Sequence, residues 1–204
     1  MTIQQKSILA LCALLCSVAI SSAVQPLSAH SGDSRVNYTL NQTETTDFEP
    51  ALYRAAKRGD FDKVKRLVEQ GADVNQTTDE GETPLHAAAD KARLEIARYL
   101  IEKGANVNAA DEDGATPLHE AADGRNFEML KLLVDSNANV NAADNDRETP
   151  LHAAAEDGTV EMVKYLVEHK ANVSTKDEDG LTPLDVAKKY RRADIADYLE
   201  SVTK

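Results

Sequence analysis

The sequence predicts an all-α fold, a solenoid of stacked helix-turn-helix units, and three observations predict it. Thr83-Pro84-Leu85-His86 returns as Thr116-Pro117-Leu118-His119, as Thr149-Pro150-Leu151-His152 and as Thr182-Pro183-Leu184-Asp185, 33 residues apart each time. A second segment keeps the same phase: Gly71-Ala72-Asp73-Val74-Asn75, Gly104-Ala105-Asn106-Val107-Asn108, Asn137-Ala138-Asn139-Val140-Asn141 and Lys170-Ala171-Asn172-Val173-Ser174. Between the two lie apolar residues at three-to-four spacing, such as Leu94, Ala97, Leu100 and Ile101, the one-sided stripe of a short helix. A fixed period of this length marks equivalent supersecondary units that bury their apolar faces by stacking.

The chain opens outside this period. Lys6 gives residues 1–23 a weakly basic start, Ile8 to Ile20 is an apolar run, and Ser21-Ser22-Ala23 supplies the small residues a signal peptidase reads. The run is shorter than the roughly 20 apolar residues of a comfortable bilayer span. Residues 1–23 therefore read as a cleaved signal peptide, with an uncleaved anchor as the alternative. Leu11 and Leu15 stand where a lipoprotein signal would place a small residue before Cys12 or Cys16. Both cysteines fall inside this segment, so the mature chain has neither disulfides nor thiolate chemistry. Residues 24–47 follow as a polar, flexible leader dominated by Ser, Thr, Asn and Gln. Asn37-Tyr38-Thr39, Asn41-Gln42-Thr43, Asn75-Gln76-Thr77 and Asn172-Val173-Ser174 match the short N-glycosylation pattern, a weak signal.

Each period then justifies two short antiparallel helices. Thr83 is a good N-cap, and Pro84 suits the first helical position because its missing N–H would be unpaired there. Leu85, Ala88 and Ala89 are small or apolar enough to let neighbouring helices approach. The second helix ends at Gly104, which accepts a left-handed backbone without penalty. Asn137 is the next-best residue at that place, and Lys170 costs on the order of 1 kcal/mol against glycine.

Taken together, the Asp-x-x-Gly-x-Thr-Pro-Leu-His opening, the Ala-Ala pair and the Gly-Ala-Asp-Val-Asn close resemble the ankyrin repeat. The resemblance covers residues 48–204 and implies five repeats, near 48–77, 78–110, 111–143, 144–176 and 177–204, joined by β-hairpin-like turns. The terminal units differ from the middle ones, as a solenoid with two solvated ends requires. In the first, Leu52-Tyr53-Arg54 stands for Pro-Leu-His. In the last, Asp185 replaces the histidine, Lys188 replaces the second alanine, and Arg191 and Arg192 follow where a sixth unit would pack.

The residues that look chemical read as structural. His86, His119 and His152 recur in units stacked about 10 Å apart, which is too far to converge on one zinc ion with bonds of about 2 Å. In the ankyrin family this histidine bonds within its turn and steadies the next repeat. Asp111-Glu112-Asp113-Gly114 and Asp177-Glu178-Asp179-Gly180 lack the twelve-residue ligand spacing of a calcium loop. No nucleophile elbow, phosphate loop or two-histidine zinc helix occurs, and most of the abundant carboxylates are expected to be solvated and ionised. The reading is of no enzyme, no catalytic residues, no metal and no cofactor.

What remains is a surface. The formal net charge is -12, and loss of residues 1–23 removes Lys6 alone among charged side chains, giving -13. That acidity disfavours nucleic acid and anionic membrane, whose phosphates need Lys and Arg. The ankyrin resemblance implies that partners are chosen by the turn tips and the exposed side of each first helix. Those places hold Asp79, Glu80, Glu82 and Asp90, then Glu112, Asp113, Glu120 and Asp123. The next units hold Asp146, Glu148, Glu156 and Asp157, then Glu178 and Asp179, with Lys91, Arg147 and Lys189 as the main exceptions. Lys63, Lys65, Arg66, Arg93, Arg98, Lys131 and Lys164 fall on second helices instead, mixed with Glu95, Glu128 and Glu161. The expectation is a monomeric protein-binding module with an acidic concave face for a basic protein partner, without membrane insertion once the signal is removed. Its compartment is expected outside the cytoplasm, the bacterial periplasm first and secretion second. A secreted effector that engages a host protein is the alternative role.

Overall fold

The first helix of each unit starts where threonine and proline meet, and the backbone follows that instruction. A computed structural model describes residues 49–203; the expected signal peptide and leader, residues 1–23 and 24–47, lie outside them. Ten α-helices and no strands occur among the described residues. They are α1 (Ala51–Arg58), α2 (Phe61–Glu69), α3 (Pro84–Asp90), α4 (Leu94–Glu102), α5 (Pro117–Asp123), α6 (Phe127–Asp135), α7 (Pro150–Glu156), α8 (Val160–Glu168), α9 (Pro183–Lys189) and α10 (Ala193–Val202). Odd-numbered helices stack on one another in one layer, even-numbered helices stack in a second, and each odd helix packs on the even helix after it. The result is the all-α helix-turn-helix solenoid that the period predicts.

Small residues set the spacing of the first layer. Ala88, Ala89, Ala121, Ala122, Ala154 and Ala155 have no exposed surface, and the odd helices pack more closely on one another than the even helices do. Even helices are held apart by larger side chains. Phe61 meets Tyr99 edge to face at 5.6 Å between ring centroids, and Phe127 meets Tyr165 in the same way at 5.6 Å. Leu85, Leu118 and Leu151 are wholly buried in the core, as are Leu100, Leu133 and Leu166 from the second layer. Each such side chain contributes about 1.5–3 kcal/mol by leaving water.

The N-termini are closed reciprocally. The Thr83 N–H donates to His86 Nδ1 at 3.1 Å, and the same bond forms at Thr116–His119 (3.0 Å) and Thr149–His152 (3.1 Å). At α9 the Asp185 carboxylate accepts from the Thr182 N–H at 3.0 Å, so the exchange of histidine for aspartate keeps the cap. At the far ends of the even helices the chain turns left-handed as expected, with φ of 91° at Gly71 and Gly104, 68° at Asn137 and 71° at Lys170.

Two features of the ends correct the sequence reading. Leu52 is buried in the place of Leu85, and Tyr53 stands where the others have histidine, so Ala51-Leu52-Tyr53 matches Pro-Leu-His, one residue earlier than expected. The register is set by the buried leucine; without a Thr-Pro pair the sequence gives it no marker. Arg192, read as a solvent-facing cap, instead turns back and donates to the carbonyls of Glu156 and Gly158. Arg93 lies equally close to Gly59, where an added Cβ would come 2.9 Å from its Nε.

Between successive units runs a ladder of asparagine amides. Asn75 Nδ2 donates to the Gly104 carbonyl at 3.2 Å while its Oδ1 accepts the Asn106 N–H at 2.7 Å. Asn108 bridges Asn137 and Asn139 at 3.3 and 2.7 Å, and Asn141 bridges Lys170 and Asn172 at 3.1 and 2.7 Å.

Candidate interaction surface

The expected binding residues come from two kinds of position. The first is the hairpin tip. Asp111 Oδ1 accepts the N–H groups of Asp113 and Ala115, both at 2.9 Å, and Asp144 Oδ1 accepts those of Asp146 and Glu148 at 3.0 and 2.8 Å. These aspartates are consumed by the turn. Their neighbours Glu112, Asp113 and Asp146 point free of it and are exposed, as are Asp79, Glu80, Glu178 and Asp179. One backbone bond ties each tip to the next: Glu112 N–H to the Glu80 carbonyl at 3.0 Å, Asn145 N–H to Asp113 at 2.8 Å, and Glu178 N–H to Asp146 at 2.8 Å. The tips therefore form a continuous edge of acidic side chains.

The second kind is the odd-helix face. Asp90 and Asp123 are exposed, while Glu82, Glu120, Glu148, Glu156 and Asp157 are half-buried. Several of these are balanced by a neighbour. Lys91 Nζ sits 2.8 Å from Asp90, and Arg125 reaches Asp157 of the following unit at 2.9 Å. Tyr53 donates its hydroxyl to Glu82, and Tyr190 hydrogen-bonds Glu156. The sequence reading missed Arg125, Tyr53 and Tyr190 as partners. Each acts across a unit boundary, about 30 residues along the chain, and only aligning the units residue by residue would bring such pairs into view.

The middle of the face is different. An open cleft of about 240 Å³ between α5 and α7 is lined by His119, Glu120, Asp123, Asp144, Glu148, Ala153 and Glu156. Burial, then the charges of Asp90, Glu82, Asp111 and Asp123, push the Glu120 carboxyl up to about 7. Glu148 is raised too, by burial and by Asp144, Glu156, Asp177 and Asp146. Glu120 is thus an exception to the expectation that most carboxylates are solvated and ionised. Its place in the helix is that of Ala87 and Val186, which are buried, and of Ala153, which is half-buried, so it stands between the packed layer and the open face. A carboxylate there loses water and meets like charges, both of which favour the protonated form.

The histidines are consumed by the framework. His86 Nδ1 accepts from the Thr83 N–H, so Nε2 carries the proton, and it donates to the Ala115 carbonyl of the next unit at 3.2 Å. His119 and His152 make the same bonds to Glu148 and Leu181, each at 3.3 Å. Burial lowers the proton affinity of all three. Among the described residues no group of three or more His, Cys, Asp or Glu side chains is arranged to hold a metal ion. No helix among them is long and apolar enough to cross a membrane. Of the glycosylation triplets, those at Asn37 and Asn41 lie outside the described residues, and the Asn75 amide is occupied by its bonds to Gly104 and Asn106.

No curated protein matches the chain. A family profile described as ankyrin repeats (3 copies) matches residues 52–144 and 126–202, which together take in most of the sequence and every helix pair. The chain belongs to the ankyrin-repeat family.

Proposed function

We propose that this chain docks a basic segment of another protein on the face made by its odd helices and hairpin tips. Ankyrin repeats are in general protein–protein interaction modules and, as a rule, non-enzymatic scaffolds, so a protein partner follows from the family. The basic character of that partner rests on one observation: Glu120 and Glu148 crowd the middle of the face with other carboxylates, and no ion pair reaches either among the described residues. A cationic side chain placed there would supply the missing counter-charge. Exposed charges are screened within about 10 Å at 0.1 M salt, so such docking is fast and salt-sensitive.

The units are proposed to begin near Thr78, Asp111, Asp144 and Asp177, after a shortened first unit. The working state is proposed to be a monomer outside the cytoplasm, in a bacterial periplasm, as an adaptor, inhibitor or stabiliser. Residues 1–23 and the absence of cysteine from residues 24–204 support that compartment. Recovery of the mature chain from the medium rather than the periplasm would favour the secreted-effector role instead.

The docking test is retention of partners from the exported fraction at about 0.05 and 0.5 M salt. Retention is expected to fall at high salt and to be lost when Asp113, Glu120 and Asp146 are changed to lysine. Capture that ignores both would end the electrostatic reading.

A further inference from the structure

We propose that Glu120 is a proton-operated latch on this face: with a proton on its carboxyl the middle of the face grips a basic segment weakly, and docking expels the proton. The inference rests on the docking reading above and adds its regulation.

The geometry that carries it is a half-buried carboxylate at a cleft between two packed helices, among other carboxylates. The α5 helix packs between α3 and α7, and the corresponding residues of those helices are Ala87 and Ala153. The charged groups that face Glu120 come from three helices and their turns. From α3 and the turn before it come Glu82, Asp90 and Lys91; from its own unit, Asp111 and Asp123; from α7 and its turn, Asp144, Glu148 and Glu156. His119 beside it is neutral and fully engaged.

Lys91 is the one nearby cation in that set, and its ammonium is held by Asp90 at 2.8 Å. The Tyr53 hydroxyl is taken up by Glu82. Among the described residues no hydrogen bond or ion pair reaches the Glu120 carboxylate, whose proton affinity is raised accordingly.

A guanidinium brought into the cleft would favour the charged form and lower that affinity. Binding and proton loss are then linked, each promoting the other to the same degree. The sign follows from the raised free-state value. Above about pH 7 the carboxyl is ionised and affinity is flat; below it, docking must first remove a proton. Affinity then falls with pH, by at most tenfold per unit. Partners would therefore be held at neutral pH and released on acidification.

The test uses the folded full chain and a hexa-arginine peptide, whose guanidinium groups do not titrate in this range. NMR is used to follow the Glu120 carboxyl in the free protein. Calorimetry at pH 6.5, in two buffers of different ionisation enthalpy, counts protons released on binding. The expected result is a Glu120 midpoint near 7 and a substantial fraction of a proton released. Affinity should be roughly tenfold weaker at pH 5.5 than at 7.5.

In Glu120→Gln, with an unchanged helical spectrum, the release should fall to the smaller share left to Glu148, and the pH dependence should flatten. Titration of Glu120 in the ordinary carboxylate range overturns the latch and leaves docking standing if the peptide still binds. Proton release that is undiminished in Glu120→Gln also overturns it. A peptide that fails to bind at any pH removes the docking reading, and the latch with it.

Discussion

Lys170 holds a left-handed backbone, φ 71°, at the place where Gly71 and Gly104 hold theirs. A Cβ in that region costs more than the extra freedom a glycine loses on folding, so Lys170→Gly should raise stability by about 1 kcal/mol in urea melts. The protonation of two kinds of buried group pulls stability in opposite directions. Glu120 is raised to about 7 in the folded chain, so its contribution is fully present below the unfolded value of 4.5 and is lost as pH rises through about 7. Glu120→Gln should therefore stabilise the fold by roughly 1–2 kcal/mol at pH 8, after allowance for its partial exposure, and by little at pH 4.5. His86, His119 and His152 behave in the reverse sense. Their folded affinity for protons lies below the ordinary 6.5, so the stability they give is complete above that pH and drains away as the solution is acidified. Protonation would put a hydrogen on Nδ1 against the threonine N–H that now donates to it. In a Glu120→Gln background the urea midpoint should fall between pH 7 and pH 5.

Within elements, the odd helices are short, seven residues in four of the five, and hold together by caps at one end and neighbours on both sides. The asparagine ladder is the cleanest place to measure inter-unit coupling, because each rung is one side chain making two bonds to the next unit. Asn108→Ala should cost about 1–2 kcal/mol by denaturant unfolding. Ser174 takes the equivalent place after Asn141, and among the described residues its side chain makes no such bridge; Ser174→Ala should shift stability by only a few tenths. Helix existence, the caps at Thr83, Thr116 and Thr149, and the left-handed ends were legible in the sequence because the same residues recur in phase. The first unit was read one residue out because Glu49-Pro50-Ala51-Leu52 lacks the Thr-Pro marker that fixes the others. The face of the molecule was legible in its charge and not in its pairing. Glu120 was counted as one more exposed acid, although its alignment with Ala87 and Ala153 already placed it against its neighbours.

Across the whole stack, stability is expected to grade from one end. Val64 alone is buried in α2, whereas α4, α8 and α10 each bury three residues and α6 buries four. A solenoid gains stability from each unit and from each interface, so the helix with least buried surface opens first. Amide hydrogen exchange should be fastest in α2 among the even helices and slowest in α6.

The Gly59–Arg93 and Gly158–Arg192 contacts carry a consequence for how such a chain can be rebuilt. Where the preceding unit offers glycine, the following one sends in an arginine; where it offers Ala92 or Arg125, the follower has Asn126 or Thr159. Units are thus not freely interchangeable modules. Duplicating the Asn126 unit in tandem joins it to a predecessor ending in Arg125, much as its own successor already does. Transplanting the Arg93 unit behind Arg125 would drive a guanidinium toward a Cβ, and recombination at that seam should yield poorly folded offspring.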